Sequence, residues 1–214
     1  MTLSRAYRGV PADERRAQRR QALIETALDC LHSDGVAAIS VRSVCTRARL
    51  TPRYFYESFD DLDQLLLAAV DAVVDEVADK ALAALASAPP NLETQVHAAI
   101  DAGYGVVATD PRKASAVLVA AAGHGPLRER RHKLVTDYAD LIMDGLPVLH
   151  RVALPERRIA RAMALFVMAG AAEVIEAVLT GRLRITRRQL VDLLTEMWLN
   201  VLAAMQPGAP SGSD

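Results

Sequence analysis

Cationic and phenolic side chains are concentrated between residues 40 and 59, in the segment SVRSVCTRARLTPRYFYESF. A guanidinium group donates to phosphate oxygens and can read a guanine through two parallel hydrogen bonds, and a phenol can donate to a phosphate. Side chains of both kinds on one exposed face suit the phosphates and base edges of a DNA major groove. The candidates outside the predicted core are Arg42, Arg47, Arg49, Arg53, Tyr54 and Tyr56.

The same segment predicts two short helices joined by a tight turn, a helix-turn-helix. Phe55 and Phe59 continue the buried side of the first helix, four residues apart in the second. We expect Thr51 to cap the second helix with its side chain, and Pro52 to occupy the first position, where no backbone N–H is needed. The apolar positions of the first helix and the turn are Val41, Val44, Cys45, Ala48 and Leu50.

The whole composition favours an all-α protein of about nine helices. Hydrophobic residues make up 51% of the chain, and no alternating strand pattern occurs in it. We expect an N-terminal arm and a three-helix helix-turn-helix domain over residues 1–59. A C-terminal ligand-binding and dimerisation domain should follow over residues 60–205, and a Pro/Gly/Ser-rich disordered tail over residues 206–214.

Turn and cap residues predict the helix boundaries. The first helix should run from Asp13 to Ser33 and end at Asp34-Gly35, and Gly103-Tyr104-Gly105 inside a later helix indicates a close helix crossing or, as the alternative, space for a ligand. The other predicted boundaries are an N-cap at Asp60 for the fourth helix, a cap at Asn91 for the fifth, a bend or end at Pro147 in the seventh, a start at Pro155 for the eighth and a capping box at Thr186–Gln189 for the ninth.

The charges of the chain are distributed unevenly. Residues 1–56 carry ten arginines and five acidic residues, whereas residues 57–214 carry fifteen basic and twenty-one acidic residues. A basic N-terminal quarter on an acidic body is typical of a nucleic-acid-binding head, and a solvated charged surface is the alternative. Cations near the start of the first helix oppose its macrodipole, so we expect them to contact phosphates. They are Arg15, Arg16, Arg19 and Arg20.

The segment from Leu23 to Leu66, LIETALDCLHSDGVAAISVRSVCTRARLTPRYFYESFDDLDQLL, resembles the N-terminal domain of the TetR (tetracycline-repressor) family of transcriptional regulators. Gly35, Ser40-Val41-Arg42 and the Tyr56–Phe59 pair lie at the family's spacing. Two positions differ. Arg49 occupies a turn position that is usually glycine, where the backbone conformation disfavours other residues, and Leu62 occupies a position that is usually lysine.

The resemblance implies roles and partners. It implies a double-stranded DNA operator as partner, with Arg42 and Tyr54 near base edges, Arg53 beside them, and Ser40, Thr51 and Tyr56 at phosphates. It also implies an unknown small-molecule effector in a cavity of the C-terminal domain. The residues that could line this cavity are His97, Tyr104, His124, Tyr138, Met143, Phe166 and Glu173.

The last two helices predict a homodimer. The eighth helix is apolar on all sides from Ala162 to Ala172, and the stripe of the ninth is too broad for one neighbour. A larger intramolecular core is the alternative, and the family also dimerises through its last two helices. The expected interface residues are Phe166, Leu194, Met197, Trp198 and Val201.

The residues favour binding over catalysis. The five histidines and two cysteines lack metal-ligand spacing, and no triad or dinucleotide motif is present, so we expect no enzyme, metal or cofactor. Cys30 and Cys45 should be buried reduced thiols, with a redox switch as the alternative. The run 162–172 is too short to span a bilayer and no signal peptide is evident, so we expect a cytoplasmic protein without a membrane partner.

The most consistent function is a DNA-binding transcriptional repressor that an inducer releases from a pseudo-palindromic operator. Two alternatives stay open: a DNA-binding dimer without an inducer, and a helical interaction protein that has lost DNA binding. Arg49 and Leu62 are the residues that make the last alternative possible.

Overall fold

The computed structural model describes residues 11–121, 125–150 and 156–204, and over these ranges the protein is all-α, as predicted. Residues 1–10 of the predicted N-terminal arm (residues 1–12), His124, Pro155 and the tail over residues 206–214 lie outside the described residues. The described part contains one short 3₁₀ helix, Val36–Ala38, and nine α-helices: α1 (Ala12–Ser33), α2 (Val41–Ala48), α3 (Pro52–Tyr56), α4 (Leu62–Ser87), α5 (Leu92–Thr109), α6 (Pro111–Ala121), α7 (Pro126–His150), α8 (Arg157–Leu179) and α9 (Arg187–Ala204).

The chain divides into two compact units, one up to Ala69 and one from Val70 onward. The division falls inside α4, later than the boundary that we expect from the sequence at residue 60. The start of α4 therefore belongs to the N-terminal unit, and there Leu65 and Leu66 are buried.

In the N-terminal unit, one apolar stripe of α1 forms much of the core. Burying one such aliphatic side chain is worth about 1.5–3 kcal/mol, so the stripe is the main attachment of α1, which contacts both α2 and α3. Gly35 follows α1 with φ of 73°, the positive φ that the predicted stop at Asp34-Gly35 requires. The buried stripe residues are Leu23, Ile24, Ala27, Leu28 and Leu31.

A reciprocal serine pair caps α2, whereas the predicted side-chain cap of α3 is wrong. The N–H of Ser43 donates to Ser40 Oγ (3.1 Å), and the N–H of Ser40 donates to Ser43 Oγ (2.9 Å). The hydroxyl of Thr51 makes no cap hydrogen bond, and its carbonyl accepts from the N–H of Tyr54 at 3.0 Å. Because Pro52 has no N–H, α3 begins with one donor fewer to satisfy.

The cap of α4 lies one residue later than predicted. Asp61 Oδ1 accepts from the N–H of Gln64 at 2.8 Å, and α4 begins at Leu62. The carboxylate of Asp60 instead accepts from the side-chain amide of Gln64, also at 2.8 Å. Two successive aspartates compete for one helix start, and composition alone does not decide between them.

In the C-terminal unit, the predicted caps of α5 and α9 form, and α7, α8 and α9 share one hydrophobic core. The predicted cap of α5 is confirmed, since the N–H of Thr94 donates to Asn91 Oδ1 at 3.0 Å. The capping box of α9 is confirmed by the hydrogen bonds from the N–H of Thr186 to Gln189 Oε1 (2.9 Å) and from the N–H of Gln189 to Thr186 Oγ1 (3.2 Å). The buried core residues are Ala139, Met143, Ala160, Ala164, Val167, Trp198 and Leu202.

The sequence predicts a bend or an end at Pro147, and an end near residue 146 is wrong, because α7 continues through Pro147 to His150. A proline inside a helix removes one backbone hydrogen bond and introduces a clash with the preceding turn. α7 also packs along α8 in the core, and such tertiary packing stabilises a helix beyond its own hydrogen bonds.

Within one chain, α8 is not buried on all sides. The expectation that residues 162–172 are buried all round is therefore wrong for the single chain. Ala164 and Val167 are buried against α7 and α9, whereas Phe166 is 72% exposed and Ala162 and Ala169 are also exposed. The neighbouring helices α6, α7 and α9 cover part of α8 and leave an apolar strip exposed.

Among the described residues, one helix, α8, is long and apolar enough to cross a membrane by length and composition alone. Core helices of soluble proteins meet the same two criteria. Its uncharged part lies between Arg161 and Glu173, and eleven helical residues span only about 16 Å, against about 30 Å of hydrocarbon.

Candidate nucleic-acid interface

The helix-turn-helix is held together by the core residues that the sequence predicts. Val44 and Phe55 are fully buried and Phe59 is 3% exposed. The side chains left outside are those expected to contact DNA: Arg42 is exposed and the Arg53 side chain is 85% exposed. The aromatic rings of α3 divide in the same way, since Tyr56 (59% exposed) and Tyr54 (37% exposed) stay at the surface.

Arg49 takes the left-handed conformation that the turn requires, with φ of 54° and ψ of 37°. Among the residues that the structure describes, Arg49 is the one non-glycine with positive φ. The N–H of Arg49 donates to Thr46 O (3.2 Å) and the N–H of Leu50 donates to Cys45 O (3.0 Å), which is the hydrogen-bond pattern of a glycine-terminated helix. The predicted departure from glycine is thus accommodated without loss of the turn.

Arg47 is held by the end of α1. Its guanidinium donates to Ser33 Oγ at 2.8 Å and to Asp34 Oδ2 at 3.0 Å. A cation at this position interacts favourably with the C-terminal end of α1 and links α1 to α2. This arrangement assigns Arg47 a structural contact besides the DNA contact that the sequence suggests.

The predicted buried thiols lie in the same unit. Cys30 and Cys45 are both buried and free. Burial raises the pKa of both thiols, although the nearby Arg47 partly offsets the increase at Cys30. Both cysteines therefore stay protonated and poorly reactive at neutral pH.

The arginines at the start of α1 have protein partners at the C-terminal end of α3. Arg19 Nη2 lies 3.3 Å from Glu57 Oε2, and its guanidinium carbon lies 4.4 Å from the centre of the Tyr54 ring. Arg16 donates to the backbone carbonyl of Glu57, and the Arg20 guanidinium lies 5.0 Å from the centre of the Phe59 ring. These contacts explain how α1 tolerates Arg16, Arg19 and Arg20, for which the sequence predicts phosphate contacts or, as the alternative, a solvated face.

The residues expected to line an effector cavity are dispersed. Met143 is a core residue, whereas Phe166 and Glu173 lie on the exposed side of α8. His97 Nε2 lies 3.2 Å from Asp192 Oδ1, and the half-buried Tyr138 donates from its hydroxyl to Val74 O at 3.3 Å. Burial, more than the nearby Asp75, raises the pKa of Tyr138.

Glu173 belongs to a charged cluster that joins α7, α8 and the segment after α8. Its carboxylate lies 3.8 Å from Arg131 and 3.6 Å from Arg182, and Glu176 shares both arginines. An open depression of about 430 Å³ lies near this cluster, and none of the predicted cavity residues within the described ranges lines it. Its lining residues are Val178, Gly181, Leu183, Arg184, Ile185, Thr186 and Gln189.

The two glycines of α5 lie against neighbouring groups. A Cβ atom at Gly103 would lie 3.4 Å from Val77 Cγ1 of α4, an ordinary packing distance, so this contact with α4 does not require a glycine. A Cβ atom at Gly105 would lie 3.0 Å from Arg187 Nη2. That guanidinium is fixed by Asp101, whose carboxylate accepts from Arg187 Nε at 2.6 Å. Tyr104, between the glycines, is half-buried.

Two of the expected dimer-interface residues are buried inside the single chain. Leu194 is 3% exposed and Trp198 is 8% exposed, so both are core residues and the interface assignment is corrected for them. The broad stripe of α9 is thus explained largely by packing within the chain. Met197 and Val201 are half-buried, and Phe166 is the expected interface residue that is largely exposed.

Two features of the surface are absent from the sequence-based assignment. Glu57 contacts Arg19 of α1 and Arg53 of α3. Only the contact with Arg53, four residues earlier, could be predicted from the sequence spacing. The exposed strip of α8 follows a three-four spacing that is also visible in the sequence. Its residues are Ile159, Ala162, Phe166, Ala169 and Glu173.

Comparisons with known proteins identify the fold. No family model matches the chain, and no curated protein matches its sequence. Many solved structures match it over most of its length. A TetR family transcription regulator from Marinobacter aquaeolei VT8 is 19% identical with a TM-score of 0.62, over 88% of this chain and 97% of that chain.

Two further neighbours have named roles. The fatty acid degradation regulator FadR from Bacillus halodurans is 14% identical with a TM-score of 0.68, over 87% of this chain and 99% of that chain. AibR, whose structure contains isovaleryl coenzyme A and operator DNA, is 19% identical with a TM-score of 0.59, over 84% of this chain and 97% of that chain. In the arrangement of its helices, this chain has the fold of the TetR family of transcriptional regulators.

Proposed function

We propose that this protein is a DNA-binding transcriptional regulator, and that it represses transcription as a cytoplasmic homodimer bound to a pseudo-palindromic operator. The observation that carries the proposal is the exposed set of Arg42, Arg53 and Tyr56 on a helix-turn-helix whose apolar side is fully packed. The second helix of such a motif lies in the major groove of DNA. The presence of operator DNA with AibR supports the same partner here.

Within this proposal, the exposed side chains divide into two classes. Arg42 and Arg53 read base edges, because both side chains are exposed and Arg53 can exchange its ion pair with Glu57 for a guanine, and Tyr54 lies beside them. Tyr56, Thr51 and Ser40 contact phosphates, and Arg49 adds a cation at the turn. Contacts of the second class fix the orientation of the protein on DNA and carry no sequence information.

The exposed strip of α8 supports the homodimer. Ile159, Ala162, Phe166, Ala169 and Glu173 are spaced 3, 4, 3 and 4 residues apart, which is the spacing of a helix–helix seam. If two copies pack α8 antiparallel about a two-fold axis at Phe166, Ile159 of one copy faces Glu173 of the other. The basic start of α8, at Arg158 and Arg161, then lies near its acidic end in the partner copy.

A small-molecule inducer that releases the protein from DNA is the remaining part of the proposal, with the C-terminal unit as its site. The dispersal of His97, Tyr138, Met143 and Glu173 favours a second candidate function, a DNA-binding dimer that needs no inducer. The two functions differ in one observable, since binding of a metabolite would raise the melting temperature only for the first.

A randomised-site selection with the full-length protein tests DNA reading. The wild type should select a two-fold-related motif, and Arg42→Ala and Arg53→Ala should each relax one position per half-site at a cost of about 1–3 kcal/mol. Tyr56→Phe is the matched control, because the loss of a phosphate contact should weaken binding to all sequences alike.

Each variant's fold is verified by its circular dichroism and melting curve. If the wild type selects no motif, the regulator function is wrong. If it selects a motif that neither arginine variant changes, then other residues read the bases.

A further inference from the structure

Glu57 is an acidic residue among the arginines of the proposed DNA-binding face. It lies directly after α3, and its side chain is about a third exposed. Its two carboxylate oxygens have different partners: Oε2 lies 3.3 Å from Arg19 Nη2, and Oε1 lies 3.3 Å from Arg53 Nε. Its backbone carbonyl also accepts from Arg16. One residue therefore engages three arginines that come from two helices.

The contacts of Glu57 have the chemistry of a phosphate contact. A carboxylate and a phosphate each offer negatively charged oxygens to a guanidinium, and the two compete for the same N–H donors. Arg19 also lies over the Tyr54 ring, with its guanidinium carbon 4.4 Å from the ring centre. Arg53, by contrast, has a side chain that is 85% exposed and has Glu57 as its ion-pair partner.

We propose that Glu57 acts as an internal competitor of DNA for Arg19 and Arg53 and so lowers the affinity of the basic face for any duplex, an inference that rests on the DNA-binding function proposed above. In the free protein, Glu57 holds Arg19 and Arg53 and neutralises part of the basic face. A random duplex offers only phosphates in exchange and leaves these ion pairs largely in place. A duplex with the right base edges displaces the carboxylate, because the base contacts of Arg53 compensate for the lost pair.

The exchange is easily reversible because the ion pairs are partly exposed, and such pairs are weak. A carboxylate in this position therefore reduces the affinity for all DNA without preventing binding to the selected site. Its removal should raise the affinity for random DNA, and the affinity for the selected site should rise at least as much, because there the carboxylate is displaced on binding.

The test compares the full-length wild type with Glu57→Gln on two duplexes, one of random sequence and one that the wild type selects. Glu57→Gln keeps the shape of the side chain and removes its charge. We expect about three- to tenfold tighter binding to the random duplex at low salt, and a salt slope steeper by about 1–2, because one or two arginines become available to phosphates. The affinity for the selected duplex should rise at least as much.

Asp63→Asn is the matched control. Asp63 is an exposed acid in the first turn of α4 of the same unit, and its neutralisation changes the net charge by the same amount. This variant should leave the salt slope unchanged, since it releases no arginine. In an Arg19→Gln background, Glu57→Gln should steepen the slope less than it does in the wild type, because only Arg53 is then released.

The melting temperature of each variant shows whether it is folded, and Glu57→Met, of similar length and without charge, replaces Glu57→Gln if the latter does not fold. The inference is overturned if the slope of the folded variant equals that of the wild type or of Asp63→Asn, or if its binding weakens, which would indicate a purely structural ion pair. A wild type that binds no duplex at any salt concentration would refute the DNA-binding function itself.

Discussion

Arg42 and Arg47 lie on the same short helix and differ in their surroundings. The side chain of Arg47 is fixed by Ser33 and Asp34 at the end of α1, whereas Arg42 is an exposed residue in the first turn of α2. Residues of one type, five positions apart, therefore have different proposed roles. The proposed function has Arg42 reading bases, whereas Arg47 joins two helices of the unit.

This difference predicts opposite effects of two alanine substitutions. Arg47→Ala should lower the free energy of unfolding by at most about 1 kcal/mol, because the ion pair is more than a third exposed and solvent screens it. It should leave the salt slope of DNA binding unchanged. Arg42→Ala should leave the melting temperature unchanged and alter sequence preference. Thermal melts and salt titrations of both variants check this, and a flattened slope for Arg47→Ala would show that Arg47 also reaches a phosphate.

The sequence predicts which residues of the head are exposed but not which partners they find. Helical spacing correctly placed Phe55 and Phe59 in the core and left Arg53 and Tyr56 outside. The contacts of Arg19 with Glu57 and Tyr54 join residues 38 and 35 positions apart, and local periodicity carries no information about such pairs.

At the scale of elements, the end of α2 is the most constrained point of the head. Arg49 completes the hydrogen bonds that end the helix, and it does so with φ of 54°. A residue with a Cβ atom in this conformation costs about 1–2 kcal/mol, and glycine avoids the clash but loses more backbone entropy on folding. The turn is thus formed at a cost that glycine would reduce.

Arg49→Gly should therefore raise the free energy of unfolding by about 0.5–1 kcal/mol. If Arg49 also contacts a phosphate, the same variant should bind all duplexes more weakly, with a salt slope flatter by about 1. Denaturant titration measures the first effect and a salt titration of DNA binding measures the second. Arg49→Ala serves as control, since it removes the guanidinium while keeping the strained backbone. Equal stability of the glycine and alanine variants would contradict the strain.

Helix starts and stops are predicted well where the sequence offers one capping residue, and poorly where two adjacent residues could both cap the helix. Gly35 and Asn91 act as expected, and the capping box at Thr186 forms. The cap of α4 moves to Asp61 because two aspartates are adjacent, and α7 passes Pro147 because tertiary packing outweighs one missing hydrogen bond.

At the scale of the whole molecule, the exposed apolar strip of α8 is the proposed dimer interface. The sequence reveals that α8 and α9 carry more apolar surface than one neighbour needs, but it does not show how that surface is divided. The structure assigns Leu194 and Trp198 to the core and leaves Phe166 exposed, because α9 fits between α5 and α8 within one chain. The surplus is thus concentrated on one side of α8.

Phe166→Glu should convert the proposed dimer into a monomer. An unpaired charge at the centre of a helix–helix seam costs about 3 kcal/mol or more, so the dissociation constant should rise at least about a hundredfold. Sedimentation at micromolar concentration measures this, and binding to a two-half-site duplex should weaken in parallel.

Leu82→Glu is the matched control for Phe166→Glu. Leu82 is a large apolar residue that is 52% exposed on α4, outside the α8 strip, so its substitution should leave the sedimentation coefficient unchanged. A wild type that sediments as a monomer would refute the dimer, and a dimeric Phe166→Glu variant would move the interface away from α8.

The strained backbone at Arg49 has a genetic consequence. Every arginine codon becomes a glycine codon through one base substitution, so the relaxed turn is one mutational step away. A lineage selected only for a stable fold should take that step. If the glycine variant is the more stable one and loses affinity for DNA, then the arginine at this turn is maintained against mutation by what its side chain does on the operator.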